Sequence, residues 1–175
     1  MTRMQTGDDP RVRVLVTDDQ SIVRQGLGVI LSHAPGIEVV GFAENGRQAV
    51  EMTASTRPDL VLMDLKMPVM NGIHATRAIV QQFPQVKVLV LTTYDGDEWL
   101  FDAIRAGACG YLLKDVDADA VLRAIHGAVK GEVHLDPHIA GKVIQAVAQR
   151  PAQTGSPTAT QPAAEEPVFE ALTER

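Results

Sequence analysis

The chain has a single cysteine, Cys109, so no disulfide can form within it. It has no long apolar run either. The longest purely aliphatic stretch is "VLVL" inside "VKVLVLTT", far below the ~20 residues a membrane-spanning helix needs. The polar opening "MTRMQTGDDP" lacks the apolar core of a secretory signal. An excess of positive charge is also missing: the net charge of −6 excludes a chain whose main surface grips nucleic acid through clustered Lys and Arg. No internal repeat of the solenoid kind is visible. These absences together point to a cytoplasmic protein with no membrane partner. What remains is 175 residues, 45% of them hydrophobic, enough for one substantial core with something attached.

Short Val/Leu/Ile runs alternate with segments whose apolar residues recur at helical spacing, the pattern of βα units around a parallel sheet. The runs are "VRVLVT" (12 to 17), "IEVVGFA" (37 to 43), "LVLMD" (60 to 64), "VKVLVLT" (86 to 92) and "GYLL" (110 to 113). Each is continuous rather than alternating, as strands covered on both faces should be. Ile22, Gly26, Val29 and Ile30 mark a first helix, and Ala49, Val50 and Met52 to Ala54 a second. Ile73, Thr76, Ile79, Val80 and Phe83 mark a third, Trp99, Leu100, Ala103 and Ile104 a fourth, and Val121, Leu122, Ile125 and Val129 a fifth. "LDPHIAGKVIQAVAQ" predicts a sixth, with Asp136 as N-cap, Pro137 at the first helical position, and Ile139, Val143 and Val147 on one face.

From Arg150 the composition shifts to "RPAQTGSPTATQPAAEEP", which has no periodic apolar face and reads as a linker. "VFEALTER" then regains apolar character.

In an open parallel sheet the functional crevice lies outside the carboxyl ends of the strands. There the first run ends in Asp18 and Asp19, the third in Asp64, the fourth in Thr92 and Thr93, and the fifth in Lys114. With neighbouring strands ~5 Å apart, three carboxylates, a hydroxyl and an ammonium converge on one pocket. Carboxylates that close repel, and the site wants a cation. Oxygen ligands without His or Cys favour a hard ion, and a few carboxylates plus waters suit Mg²⁺. One carboxylate can then act as nucleophile toward a phosphoryl group, with Thr92 bonding the new oxygens. Asp64 is the candidate, because it follows the middle run and precedes a loop with the turn residues Pro68 and Gly72. His134 and His138, four apart, are separated by Asp136 and Pro137 and are not expected to form a metal site. Cys109 reads as a small buried residue.

"DLKMPVMNG", the pair Asp18 and Asp19, Thr92 and "GYLLKD" resemble the receiver domain of two-component response regulators over about residues 12 to 130. That resemblance implies a flavodoxin-like, doubly wound, five-stranded parallel sheet of order 2-1-3-4-5, with five helices and the sixth beyond them. It also implies that Asp64 accepts a phosphoryl group from a sensor histidine kinase. Mg²⁺ would be held by Asp18, Asp19, Asp64 and the backbone carbonyl of Lys66, Lys114 would assist, and Thr92 and Tyr111 would act as the switch pair. Lys66, Thr93 and Tyr94 stand where they would modulate rates. "LTTYD", "AGACGYLLKD" and "GEVHLDP" look like the NarL/FixJ group, whose receivers are linked to a helix-turn-helix domain of the LuxR type. The implied protein is a phosphorylation-dependent homodimer that regulates transcription and is not a turnover enzyme.

The expected organisation is a disordered segment over 1–10, a receiver domain over 11–131, the sixth helix with its lead-in over 132–149, a flexible linker over 150–168, and over 169–175 the start of a DNA-binding domain. Leu172, Thr173 and Arg175 match that domain's Leu-Thr-x-Arg-Glu opening, so DNA is expected to be bound only through residues beyond this chain. Two positions depart from the common receiver pattern. Asp115 replaces the proline that often follows the lysine, which makes a cis bond there costlier and leaves the geometry of the loop after Lys114 open, and Thr93 is bulkier than the usual Ala or Gly. Two other classes use similar residues. A haloacid-dehalogenase-like phosphatase would place its nucleophile after the first strand as Asp-x-Asp-x-Thr, whereas here the lone acid follows the third. A phosphate-independent pseudo-receiver normally lacks one of these site residues. A flavodoxin-type carrier would need a phosphate-cradling loop where "TDDQS" stands.

Overall fold

The computed structural model describes residues 10–93 and 96–149. The expectations for Tyr94, for most of the N-terminal segment, for the linker and for the helix-turn-helix opening lie outside these residues. Five βα units run in order: β1 (Val12–Thr17), α1 (Ser21–Ser32), β2 (Ile37–Ala43), α2 (Gly46–Thr56), β3 (Leu60–Met63), α3 (Gly72–Gln82), β4 (Lys87–Thr92), α4 (Asp97–Ala106), β5 (Gly110–Leu113) and α5 (Ala118–Val129). A two-residue strand β6 (His134–Leu135) and α6 (Pro137–Ala148) follow. All pairings are parallel, in the order β2-β1-β3-β4-β5-β6. The 2-1-3-4-5 sheet is therefore present, with β6 added on the β5 edge; two residues are too short to leave a periodic signal.

Alternation along the strands divides the core between the two faces of the sheet. Val14 and Val16 of β1 point to one face, where Leu31 of α1 and Val121, Ala124, Ile125 and Ala128 of α5 cover them. Leu15 points to the other, against Ala49 of α2 and Ala75 and Ile79 of α3. On that second face a further cluster joins Leu65, Val90 and Tyr111 to Leu100 and Ala103 of α4 and to Ile139 of α6.

Helix starts follow local chemistry. Asn45, Asn71, Asp117 and Asp136 each accept a backbone N–H in the first turn of α2, α3, α5 and α6. Pro137 occupies the first turn of α6, as its fixed φ favours.

For α1 the expected face is reversed. Ile22, Gly26, Val29 and Ile30 are exposed, and the helix meets the core through Leu31 with the partly buried Leu27. Both stripes are apolar at helical spacing, so periodicity could not choose between them; the strand order did. In α6, Ile139 is buried and Val143 half-buried, but Val147 is 68% exposed, so the inward face ends a turn early.

Candidate functional site

The carboxyl ends of β1, β3, β4 and β5 meet at one crevice. β1 pairs with β3, β3 with β4 and β4 with β5, so Asp18, Asp64, Thr92 and Lys114 follow or end adjacent strands. Backbone bonds lock these ends together: the Asp64 N–H donates to the Thr17 carbonyl at 3.0 Å, and the Lys114 N–H to the Thr92 carbonyl at 2.9 Å. Asp18, Asp64 and Thr92 are buried, while Asp19, Lys66 and Thr93 are exposed. Among the described residues there is no cis peptide, so Lys114–Asp115 is trans.

The Lys114 ammonium lies 2.5 Å from Asp18 Oδ2 and 3.6 Å from Asp64 Oδ2. Asp18 Oδ1 accepts the Gln20 N–H at 2.9 Å. Asp64 Oδ1 is buried and has no hydrogen-bond partner. Burial pushes the Asp64 carboxyl above its ordinary pKa, and Asp18 adds to that push. The Lys114 charge and hydrogen bonds from the Thr92 hydroxyl and the Leu65 N–H work in the opposite direction. A buried, partly orphaned carboxylate beside a second carboxylate is a site short of positive charge. One oxygen each from Asp18, Asp19 and Asp64 lie within 4.8 Å of one another, so the acids converge closely enough to hold a metal ion. The set is all oxygen, which fits a hard divalent cation. Among the described residues this is the one group of three or more His, Cys, Asp or Glu side chains close enough to hold a metal ion.

The loop after Asp64 is built by close backbone approach. A Cβ on Gly72 would fall 2.0 Å from the Asp64 carbonyl oxygen, so only glycine lets α3 start there. The Gly72 N–H donates to the Leu65 carbonyl at 2.8 Å, and the Gly46 N–H ties the loop to α2 through the Met70 carbonyl at 2.9 Å. Val69, at φ 68°, takes a left-handed conformation costly for a β-branched residue.

Two residues near the site had not been singled out in the sequence. Arg24 donates to the Asp18 carbonyl at 2.7 Å and pairs with Glu44 at 3.0 Å, tying the acidic turn to the end of β2. Thr17 carries a buried hydroxyl without a partner. Arg24 sits on α1 without a distinguishing motif, and a threonine ending a strand looks like any β-former. Cys109 is partly buried, and burial raises its thiol pKa, in keeping with a packing role.

An acidic crevice with one lysine at the carboxyl ends of a doubly wound parallel sheet stands where open α/β folds place their functional sites. Comparison with known proteins narrows the class: the model of the response regulator receiver domain matches residues 14–126, and the chain belongs to this family. It is 41% identical over 118 residues to the transcriptional regulatory protein DegU of Brevibacillus brevis, covering 67% of this chain and 50% of that protein. To LnrK of Bacillus subtilis it is 43% identical over 114 residues, covering 65% and 52%. The chain thus spans about half the length of these relatives.

Among solved structures, a LuxR-family response regulator from Aurantimonas sp. superposes with a TM-score of 0.75 at 32% identity, covering 79% of this chain and 99% of that one. The receiver domain of NarL from Mycobacterium tuberculosis gives 0.67 at 33%, covering 70% and 99%. The receiver belongs to the type found in LuxR- and NarL-like regulators, and five-strand CheY-like topology agrees with both.

Proposed function

We propose that this chain is the phosphoacceptor module of a two-component response regulator, with Asp64 as the acceptor. The observation that carries the reading is the buried Asp64 carboxylate with an unpartnered Oδ1, set between Asp18, Thr92 and Lys114. A carboxylate oxygen of Asp64 attacks the phosphorus of a phosphohistidine on a sensor kinase. The new O–P bond forms as the P–N bond breaks, and the electron pair leaves with the imidazole nitrogen, which takes up a proton. Lys114, 3.6 Å from Asp64, neutralises the phosphoryl charge, and the Thr92 hydroxyl donates to one of its oxygens. Asp18, Asp19, Asp64 and the Lys66 carbonyl would hold Mg²⁺, which neutralises charge on the phosphoryl oxygens when bound. Lys66 and Thr93, both exposed, set how readily water reaches the acyl phosphate, and Tyr94 is expected from the sequence to share that role.

The acyl phosphate decays slowly rather than turning over. Its output is a change in homodimerisation and in a LuxR-type DNA-binding domain attached beyond the linker, hence in transcription, in the cytoplasm. The relatives named as transcriptional regulators support this part. The test is intact mass after treatment with acetyl phosphate: one added phosphoryl group with Mg²⁺ present, none in Asp64→Ala and none after chelation. Phosphorylation of Asp64→Ala, or a yield indifferent to chelator, overturns the assignment.

A further inference from the structure

The segment after α5 returns to the sheet and holds the same strand that carries Tyr111. β6 pairs with β5 so that Leu135 is the register partner of Tyr111. The Asp136 N–H then donates to the Tyr111 carbonyl at 2.9 Å, and the Asp136 side chain caps α6 through the His138 N–H. Behind this anchor, Ile139 is fully buried in one cluster with Tyr111, Leu100, Ala103 and Leu65, and Val143 packs against it. Lys142 reaches Asp97, the first residue of α4, at 3.0 Å.

This cluster lies directly behind the phosphoacceptor. Leu65 follows Asp64 directly, is fully buried, and its carbonyl accepts the Gly72 N–H of the acceptor loop at 2.8 Å. Val90, two residues before Thr92, is the β4 partner of Tyr111. Tyr111 and Thr92 are both fully buried on adjacent paired strands, so the docked helix and the switch pair belong to one packed arrangement. Removing Ile139 would open a cavity against Tyr111 and Leu65, and a cored-out cluster relaxes toward whichever side is free to move. Ile139 and Val143 of the chain's own helix thus occupy the part of the cluster next to α4 and Tyr111.

We propose that α6 is a positioning element for the phosphoacceptor site: by closing the cluster over Tyr111 and Leu65, Ile139 and Lys142 favour the arrangement in which Thr92 faces Asp64. This rests on the receiver reading above. Reciprocity of linked equilibria then requires that occupancy of the site tighten α6 by the same factor by which α6 tightens the site. The chemical signal leaves the crevice through a helix whose C-terminal end leads into the rest of the protein.

The experiment uses the full 175-residue chain, with beryllofluoride and Mg²⁺ as the phosphoryl mimic. Bound beryllofluoride is read by fluorine NMR, and docking of α6 by hydrogen exchange over residues 137–148. Saturation should slow exchange in α6 of the wild type. Ile139→Ala should speed that exchange and weaken beryllofluoride binding by about 5-fold or more, the lower bound of ordinary allosteric coupling. Lys142→Ala, which spares the core and carries the test should Ile139→Ala not fold, should do both by roughly 2-fold, as a partly exposed ion pair allows. In Thr92→Ala, α6 should stay docked yet cease to respond to the mimic. Exchange in α6 that is unchanged or faster on saturation overturns the proposal, as does wild-type affinity in a variant whose α6 has opened. If the wild type takes up no beryllofluoride, the receiver reading itself fails, a different result from uptake that leaves α6 unmoved.

Discussion

Replacing Lys114 by methionine keeps the length and packing of the stem while deleting the ammonium that stands between two buried carboxylates. In the folded chain the ammonium stands 2.5 Å from Asp18 and 3.6 Å from Asp64. At an effective dielectric of ~20 each contact is a Coulomb attraction on the order of 5 kcal/mol. Most of that is offset, because burying the ammonium costs several kcal/mol, and its 14% exposure admits screening water. Removing one partner of a buried pair costs about 3–5 kcal/mol, and the low end, about 3 kcal/mol, applies to this lysine, which keeps some contact with water. With a urea slope of about 1–3 kcal/mol per molar, the unfolding midpoint at pH 7 should fall by roughly 1–3 M.

The loss should depend on pH. Burial already pushes the Asp64 carboxyl above its ordinary 3.8, and without Lys114 burial and Asp18 dominate, both of which raise it further. A carboxyl with a raised folded pKa destabilises fully above that pKa and not at all below its unfolded value. The gap between Lys114→Met and wild type should therefore narrow as the pH falls from neutrality toward 3.8. Millimolar Mg²⁺ should narrow it too, by binding the folded state. Equal urea midpoints at pH 7, or a gap that widens on acidification, would refute the electrostatic account of the crevice.

Asp64→Asn should stabilise the metal-free chain at neutral pH by about 0.5–2 kcal/mol, as relief of a strained functional site does, with the advantage vanishing as the pH approaches 3.8; urea titrations at several pH values check this. Gly72→Ala should lower the melting temperature, since the new methyl must displace the Asp64 carbonyl found at 2.0 Å, and calorimetry showing no loss would contradict the packing described for the acceptor loop.

Much of the architecture was legible along the chain because each strand is buried on both faces and so leaves an unbroken aliphatic run. The five runs were placed to within a residue, from Val12–Thr17 to Gly110–Leu113. The chemistry at their ends was legible for a related reason: a parallel sheet brings its strand ends to one edge, so acids and a lysine that terminate separate runs must meet. Asp136 and Pro137 announced the sixth helix because capping is local chemistry. Local signals could not choose which face of α1 turns inward, since Ile22, Val29 and Ile30 are as apolar as Leu27 and Leu31; only the placement of β1 and β2 beneath it decided that. Nor could they show that α6 folds back onto Tyr111, that Arg24 grips the acidic turn, or that Asp64 Oδ1 is left without a partner. Those features depend on how the folded elements pack against one another, and no periodicity encodes a distance across the sheet.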